Sequence, residues 1–210
     1  MHLSCNILFL EIFLLLLQID LMQFVIHSKL KHVLRNPSYT TKFLVTYSDS
    51  YLLCSMVLQI GDKAPQFTLR DAFDKEISLS DFQGKRVIIY FYPKDNTPGC
   101  TKEACNFKDN WDILKRNNII VLGISKDDAS SHQKFIDKFD LPFILLTDSV
   151  PCKVASDYES YGLKKFMGKE YMGMVRNTFL IDPSGNIEKI YSKVKAAIMA
   201  DHIITDLGLS

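Results

Sequence analysis

The chain has 210 residues, 47% of them apolar and 23% charged, with 25 basic side chains against 24 acidic ones. That composition excludes a disordered polymer and gives no electrostatic case for nucleic acid or an acidic membrane as a partner; the length suits one globular domain plus an appendage. Cysteines at 5, 54, 100, 105 and 152 are odd in number and scattered, which argues against a secreted disulfide framework and for a reducing, cytoplasmic setting.

Residues 1–55 differ in kind from the rest. Leu3 to Ile26 is almost wholly apolar and long enough to span a bilayer, yet it contains Glu11 and Asp20. No basic residue precedes the run and no small-residue cleavage site follows it, so it makes a poor signal peptide. The readings, in order of preference, are a translation start at Met56, a membrane anchor oriented by Lys29, Lys31 and Arg35, and a cleaved signal. Residues 36–55 read as a polar connector, and a membrane enters as a partner only if the leader is expressed.

Residues 56–210 carry regular punctuation. GDKAPQFTL and EISL flank a polar turn at Asp71–Lys75 and read as a short hairpin. Arg86–Tyr92, RVIIYFY, is a continuous β-rich run of the kind buried on both sheet faces. After Pro93 and a loop, Ala104, Phe107, Trp111 and Leu114 recur at helical spacing and predict a helix from Cys100 to Arg116. Next come a strand at 119–125, a helix at 128–139, a strand at 143–147 and a helix at 150–161. Strands at 174–182 and 186–192 flank the turn Pro183–Gly185, and a helix over 197–207 closes the chain. The alternation predicts an α/β fold, a mixed central sheet flanked by helices.

The chemistry concentrates in Pro93-Lys-Asp-Asn-Thr97-Pro98-Gly99-Cys100-Thr101-Lys102-Glu103-Ala104-Cys105. Cys100 stands at a predicted helix start, where unpaired N–H groups and the dipole favour the thiolate, the nucleophilic form. Thr97 can aim its hydroxyl into the same pocket, and Pro93, lacking an N–H, can wall that pocket against water. A cation is needed where charge develops on a leaving oxygen; Lys94, Lys102 and Arg176 are all available. Five positions along a helix separate two Cα atoms by roughly 8.6 Å and about 140° of rotation. A disulfide needs Cα atoms within about 7 Å, so Cys100 and Cys105 pair only if the helix unwinds.

This stretch resembles the atypical two-cysteine peroxiredoxins of the Q type, also called bacterioferritin comigratory proteins. Their pattern is P-x-x-x-T-x-x-C with a resolving cysteine five residues on; here the likeness runs from about Gly61 to the C-terminus. It includes GDKAPQFTL, VLGIS, Phe166–Lys169 and Arg176–Asp182. The resemblance implies a thioredoxin-like fold and a thiol peroxidase that reduces hydrogen peroxide and organic hydroperoxides. It assigns the peroxidatic thiol to Cys100, the resolving thiol to Cys105, the pocket to Thr97 and Pro93, and the cation to Arg176. It further implies no metal or organic cofactor, re-reduction by thioredoxin or a similar dithiol protein, and a monomer.

The remaining candidates carry plainer readings. Cys152 reads as core-facing, His132 and His202 as helix-surface residues, and Trp111, Phe107 and Tyr171 as core or pocket lining. Glu103 reads as support for the helix N-terminus, with a bond to the arginine as a second role. A zinc site from Cys100, Cys105, His132 and Cys152 matches no common spacing. The rivals to the peroxidase are a disulfide oxidoreductase, which wants C-x-x-C rather than C-x-x-x-x-C, a non-enzymatic redox sensor, and a membrane-bound binding module.

Overall fold

A computed structural model describes residues 57–166, 168–192 and 195–209. The leader and connector read over residues 1–55, with Cys5 and Cys54, lie outside these. Among the described residues no helix is long and apolar enough to cross a membrane.

The chain opens with strands β1 (Thr68–Asp71) and β2 (Glu76–Ser78), a 3-10 turn at Leu79–Phe82, and strand β3 (Arg86–Phe91). Helices α1 (Pro98–Asp109) and α2 (Trp111–Arg116) lead into β4 (Ile119–Ser125), α3 (Ala129–Phe139) and β5 (Ile144–Thr147). A short α4 (Lys153–Asp157) precedes β6 (Tyr161–Phe166) and β7 (Lys169–Met174). Strands β8 (Asn177–Ile181) and β9 (Ile187–Ser192), a 3-10 turn at Ala196–Ile198 and helix α5 (Met199–Asp206) complete the domain.

Seven strands form one mixed sheet in the order β2-β1-β5-β4-β3-β8-β9. The pairs β3–β4 and β4–β5 are parallel; the others are antiparallel. Because side chains alternate along a strand, β3 feeds two cores. Val87, Ile89 and Phe91 pack with Phe179, Ile181 and Tyr158 on one face. Ile88 and Tyr90 pack with Phe107, Phe135, Leu145 and Ile203 on the other, beneath α1, α3 and α5.

Gly123 in β4 is required by this packing. It pairs with Tyr90 across the parallel ladder, and a Cβ there would meet the Tyr90 ring at 2.6 Å and Leu145 at 2.7 Å.

Four elements differ from their sequence-based expectation. The helix read as Cys100–Arg116 begins at Pro98 and breaks at Asn110, whose side chain donates to the Asn106 carbonyl at 2.9 Å and competes with continued helix. The helix read over 150–161 keeps only Lys153–Asp157, since the chain turns out through Glu159 at φ 51°. The strand read as 174–182 is two strands, β7 and β8, joined through Val175 and Arg176. Finally β6 and β7 form a separate hairpin. Its mixed polar and apolar residues present no clean period-2 pattern, so alternation alone does not reveal it.

Candidate active site

Strand β3 ends at Phe91, and the loop from Tyr92 to Thr97 carries the chain to the N-terminus of α1. Thr97 is the N-cap, with extended backbone (φ −88°, ψ 149°), and Pro98 fills the first helical position, where a missing N–H costs nothing. The Thr97 carbonyl accepts from the Thr101 amide at 2.8 Å and closes the first turn. Cys100 therefore sits in that first turn, on the inward face, with only 2% of its surface exposed.

Arg176 arrives from the β7–β8 link, far along the sequence. Its Nη2 lies 3.2 Å from Cys100 Sγ, and its Nη1 donates to Glu103 Oε2. Glu103 follows Cys100 by three residues, so one helical face presents both groups to a single guanidinium. The Glu103 carboxyl is fully buried. Burial raises its pKa to about 7, against the opposing pull of Arg176. Burial works against the Arg176 charge too, but Glu103 and Cys100 outweigh it and hold the guanidinium pKa above its ordinary value.

Pro93 and Thr97 are half-buried on the loop in front of α1. The Thr97 hydroxyl donates to the Lys94 carbonyl at 3.0 Å. Among the cations weighed from sequence, Lys94 and Lys102 are exposed, and Arg176 is the one in contact with the sulfur. Lys164, on β6, carries no signal in the sequence. Burial and the Arg176 charge lower its pKa, an effect Cys100 opposes, and its Nζ donates to the Met174 carbonyl at 2.8 Å. Only the hairpin, invisible in the sequence pattern, brings it near.

Cys105 is half-buried and Cys152 fully buried; both are free thiols. Burial, then Asp148, pushes the Cys152 thiol up. Glu103 takes the second of the roles read for it, bonded to the arginine. Two readings are corrected. His132 is not a surface residue but 0% exposed, because α3 turns it inward onto the Cys100 loop. Tyr171 is 48% exposed on the β6–β7 hairpin rather than core or pocket lining. Trp111, partly buried, packs against the α1-side core as its reading expects. Among the described residues no group of three or more His, Cys, Asp or Glu side chains is arranged to hold a metal.

The site thus places a buried thiol in the first turn of a helix, in contact with an arginine. The family model described as AhpC/TSA matches residues 60–190. The chain belongs to the AhpC/TSA family. Among its curated relatives, peroxiredoxin Bcp of Bacillus subtilis is 44% identical over 148 residues, 70% of this chain and 92% of that one. Peroxiredoxin Bcp of Escherichia coli is 44% identical over 147 residues, 70% of this chain and 94% of that one. Among solved structures, the bacterioferritin comigratory protein of Xanthomonas campestris, described in terms of its alkyl peroxide reduction activity, matches with a TM-score of 0.67 at 30% identity. That match covers 72% of this chain and 95% of that one. The fold is thus the thioredoxin-like fold of peroxiredoxins, and this AhpC/TSA member is an enzyme, a thiol peroxidase that takes a peroxide as substrate and a thiol as reductant.

Proposed function

We propose that Cys100 is the peroxidatic residue and Cys105 the resolving one in a thioredoxin-dependent cycle. The observation that carries this reading is the Arg176 contact, Nη2 at 3.2 Å from Cys100 Sγ within the first turn of α1. The Cys100 thiolate attacks one oxygen of a hydroperoxide, the O–O bond breaks, and the departing oxygen takes a proton to leave as water or an alcohol. Cys100 becomes a sulfenic acid. Arg176 stabilises the charge that builds on the oxygens as the bond stretches. Thr97, whose hydrogen is engaged by Lys94, accepts from the peroxide O–H, and Pro93 limits water at the sulfur.

Cys105 then attacks the sulfenic sulfur, the S–O bond breaks and water leaves, forming an intramolecular disulfide. A dithiol protein, thioredoxin in this reading, exchanges with it and regenerates both thiols. An intramolecular partner needs no second subunit, which supports a monomeric enzyme, and the scattered cysteines support a reducing compartment such as the cytoplasm.

The test is NADPH consumption by the full chain with thioredoxin, thioredoxin reductase and either hydrogen peroxide or an alkyl hydroperoxide. Sustained turnover is expected, abolished in Cys100→Ser. In Cys105→Ser turnover with thioredoxin is lost while the sulfenic acid still forms. A wild-type protein oxidised once and never turned over by the reductant would sink the cycle and leave a sensor.

A further inference from the structure

The loop that delivers Cys100 is held from behind. At its centre Asp95 is 6% exposed, and Asn96 adopts a left-handed backbone at φ 55°, a conformation that asparagine tolerates better than most L-residues. The support comes from the β4–α3 segment. Asp127 Oδ2 accepts from the Asp95 amide at 2.7 Å, and Lys138 Nζ donates to Asn96 Oδ1 at 2.8 Å. Ser131 Oγ donates to Asp95 Oδ2 at 2.8 Å, and His132 Nδ1 meets the same oxygen at 2.9 Å. Tyr92, at the end of β3, donates to Asp95 Oδ1 at 2.7 Å.

Burial alone would raise the Asp95 pKa, but bonds from His132, Tyr92 and Ser131 hold it below its ordinary value. An ionised carboxylate only accepts, so Nδ1 of His132 carries a hydrogen and donates it to Asp95, while Nε2 is buried without a partner among the described residues. A buried polar cluster of this kind is seldom the most stabilising filling for a core. It does fix direction: both carboxylate oxygens of Asp95 are engaged, and the one residue after it, Asn96, leads straight into Thr97 and the helix start.

We propose that His132, acting through Asp95, is a positioning residue that holds the Pro93–Thr97 loop in the geometry in which Cys100 reacts. The inference rests on the peroxidase reading of Cys100. His132 does not touch Cys100 or Arg176; its effect passes through the backbone of the loop. Displacement of reacting groups by about 1 Å costs up to about a hundredfold in rate.

The experiment is single-turnover oxidation of Cys100 by hydrogen peroxide, followed by stopped flow in full-length wild type, His132→Leu and His132→Asn, all below their melting temperatures. The Asn amide can replace the Nδ1 hydrogen, whereas Leu fills the space without a donor. Expected is a fall of about thirtyfold in the second-order rate constant for His132→Leu, with His132→Asn within about threefold of wild type. Equal rates in the two variants, whether both slow or both fast, overturn the inference. Should His132→Leu not fold, Ser131→Ala removes one donor to the same oxygen, and about threefold slower oxidation is expected; an unchanged rate overturns it. A wild-type Cys100 that peroxide does not oxidise overturns the peroxidase reading and this inference with it. A reactive wild type with indifferent variants overturns the inference alone.

Discussion

Arg176 reaches Cys100 across 76 residues of sequence, its Nη2 resting 3.2 Å from the sulfur while Nη1 is committed to the buried Glu103. One planar fork thus spans a thiol and a carboxyl presented by a single helix face. Lysine carries the same charge but as a point, and cannot bridge both. Arg176→Lys is therefore expected to slow Cys100 oxidation by about a hundredfold, the usual scale for losing one aligned donor to developing charge. Stopped-flow oxidation by hydrogen peroxide measures it; a rate within about threefold of wild type would show that charge alone suffices.

Glu103 makes the fold itself pH-sensitive. Its carboxyl pKa rises from 4.5 to about 7, chiefly through burial. A carboxyl raised on folding favours the protonated native state, so its contribution is fully present below about pH 4.5 and is lost as pH rises towards 7. At about 1.36 kcal/mol per unit, the whole swing is on the order of 3 kcal/mol. Glu103→Gln removes the titration. Urea unfolding at pH 5 and pH 8 is expected to show the variant gaining on wild type at the higher pH. A stability difference that is the same at both values would mean that Glu103 does not titrate in this range.

Much of this arrangement is legible before any coordinates. The apolar run 86–92 announces β3, and the stripe Ala104, Phe107, Trp111 and Leu114 announces α1 and α2, because both signals are local: β-branched and aromatic content in one case, helical spacing in the other. The partner of Cys100 is not local. Composition and periodicity do not distinguish Arg176 from Lys94 or Lys102; only the likeness over Arg176–Asp182 does, and the antiparallel pairing of β8 with β3 carries it to α1. His132 fails for a related reason. A histidine on an amphipathic helix reads as a surface residue unless the buried carboxylate it faces is known, and Asp95 lies 37 residues earlier. Lys164 depends on a hairpin whose alternation is too mixed to register.

Gly123 tests the packing between the sheet and α1. The Tyr90 ring lies over it and stacks on Phe107 at 4.9 Å between centroids. A methyl group at 123 would sit 2.6 Å from the ring and 2.7 Å from the buried Leu145 side chain. Gly123→Ala is expected to cost about 1–3 kcal/mol, the range for overpacking a dense core, read as a lower denaturation midpoint at unchanged slope. A midpoint equal to wild type would mean that Tyr90 can move aside without cost.

The proposed resolution step makes the most demanding prediction, because α1 in its folded form forbids it. Five helical positions keep the two Cα atoms beyond the roughly 7 Å that a disulfide tolerates. The helix is anchored just past Cys105: Phe107 is fully buried, Asn106 Oδ1 accepts from the Ala200 amide at 2.7 Å, and Asp201 accepts from Asn106 and Asn110 at 2.7 and 3.1 Å. Ahead of that anchor stand the first turns, held by the buried Ala104 and by the Cys100 and Glu103 contacts that oxidation disturbs. Unwinding is therefore expected to run from Pro98 to Cys105 and stop. Hydrogen exchange on peroxide-treated protein should show the Thr101–Cys105 amides losing protection by about tenfold or more, with α2 unchanged. Cys105→Ser, oxidised in the same way, should keep most of its protection, since no disulfide traps the unwound form. A Cys100–Cys105 disulfide confirmed by mass spectrometry with α1 protection intact would rule out this route and require the sulfurs to meet by another movement.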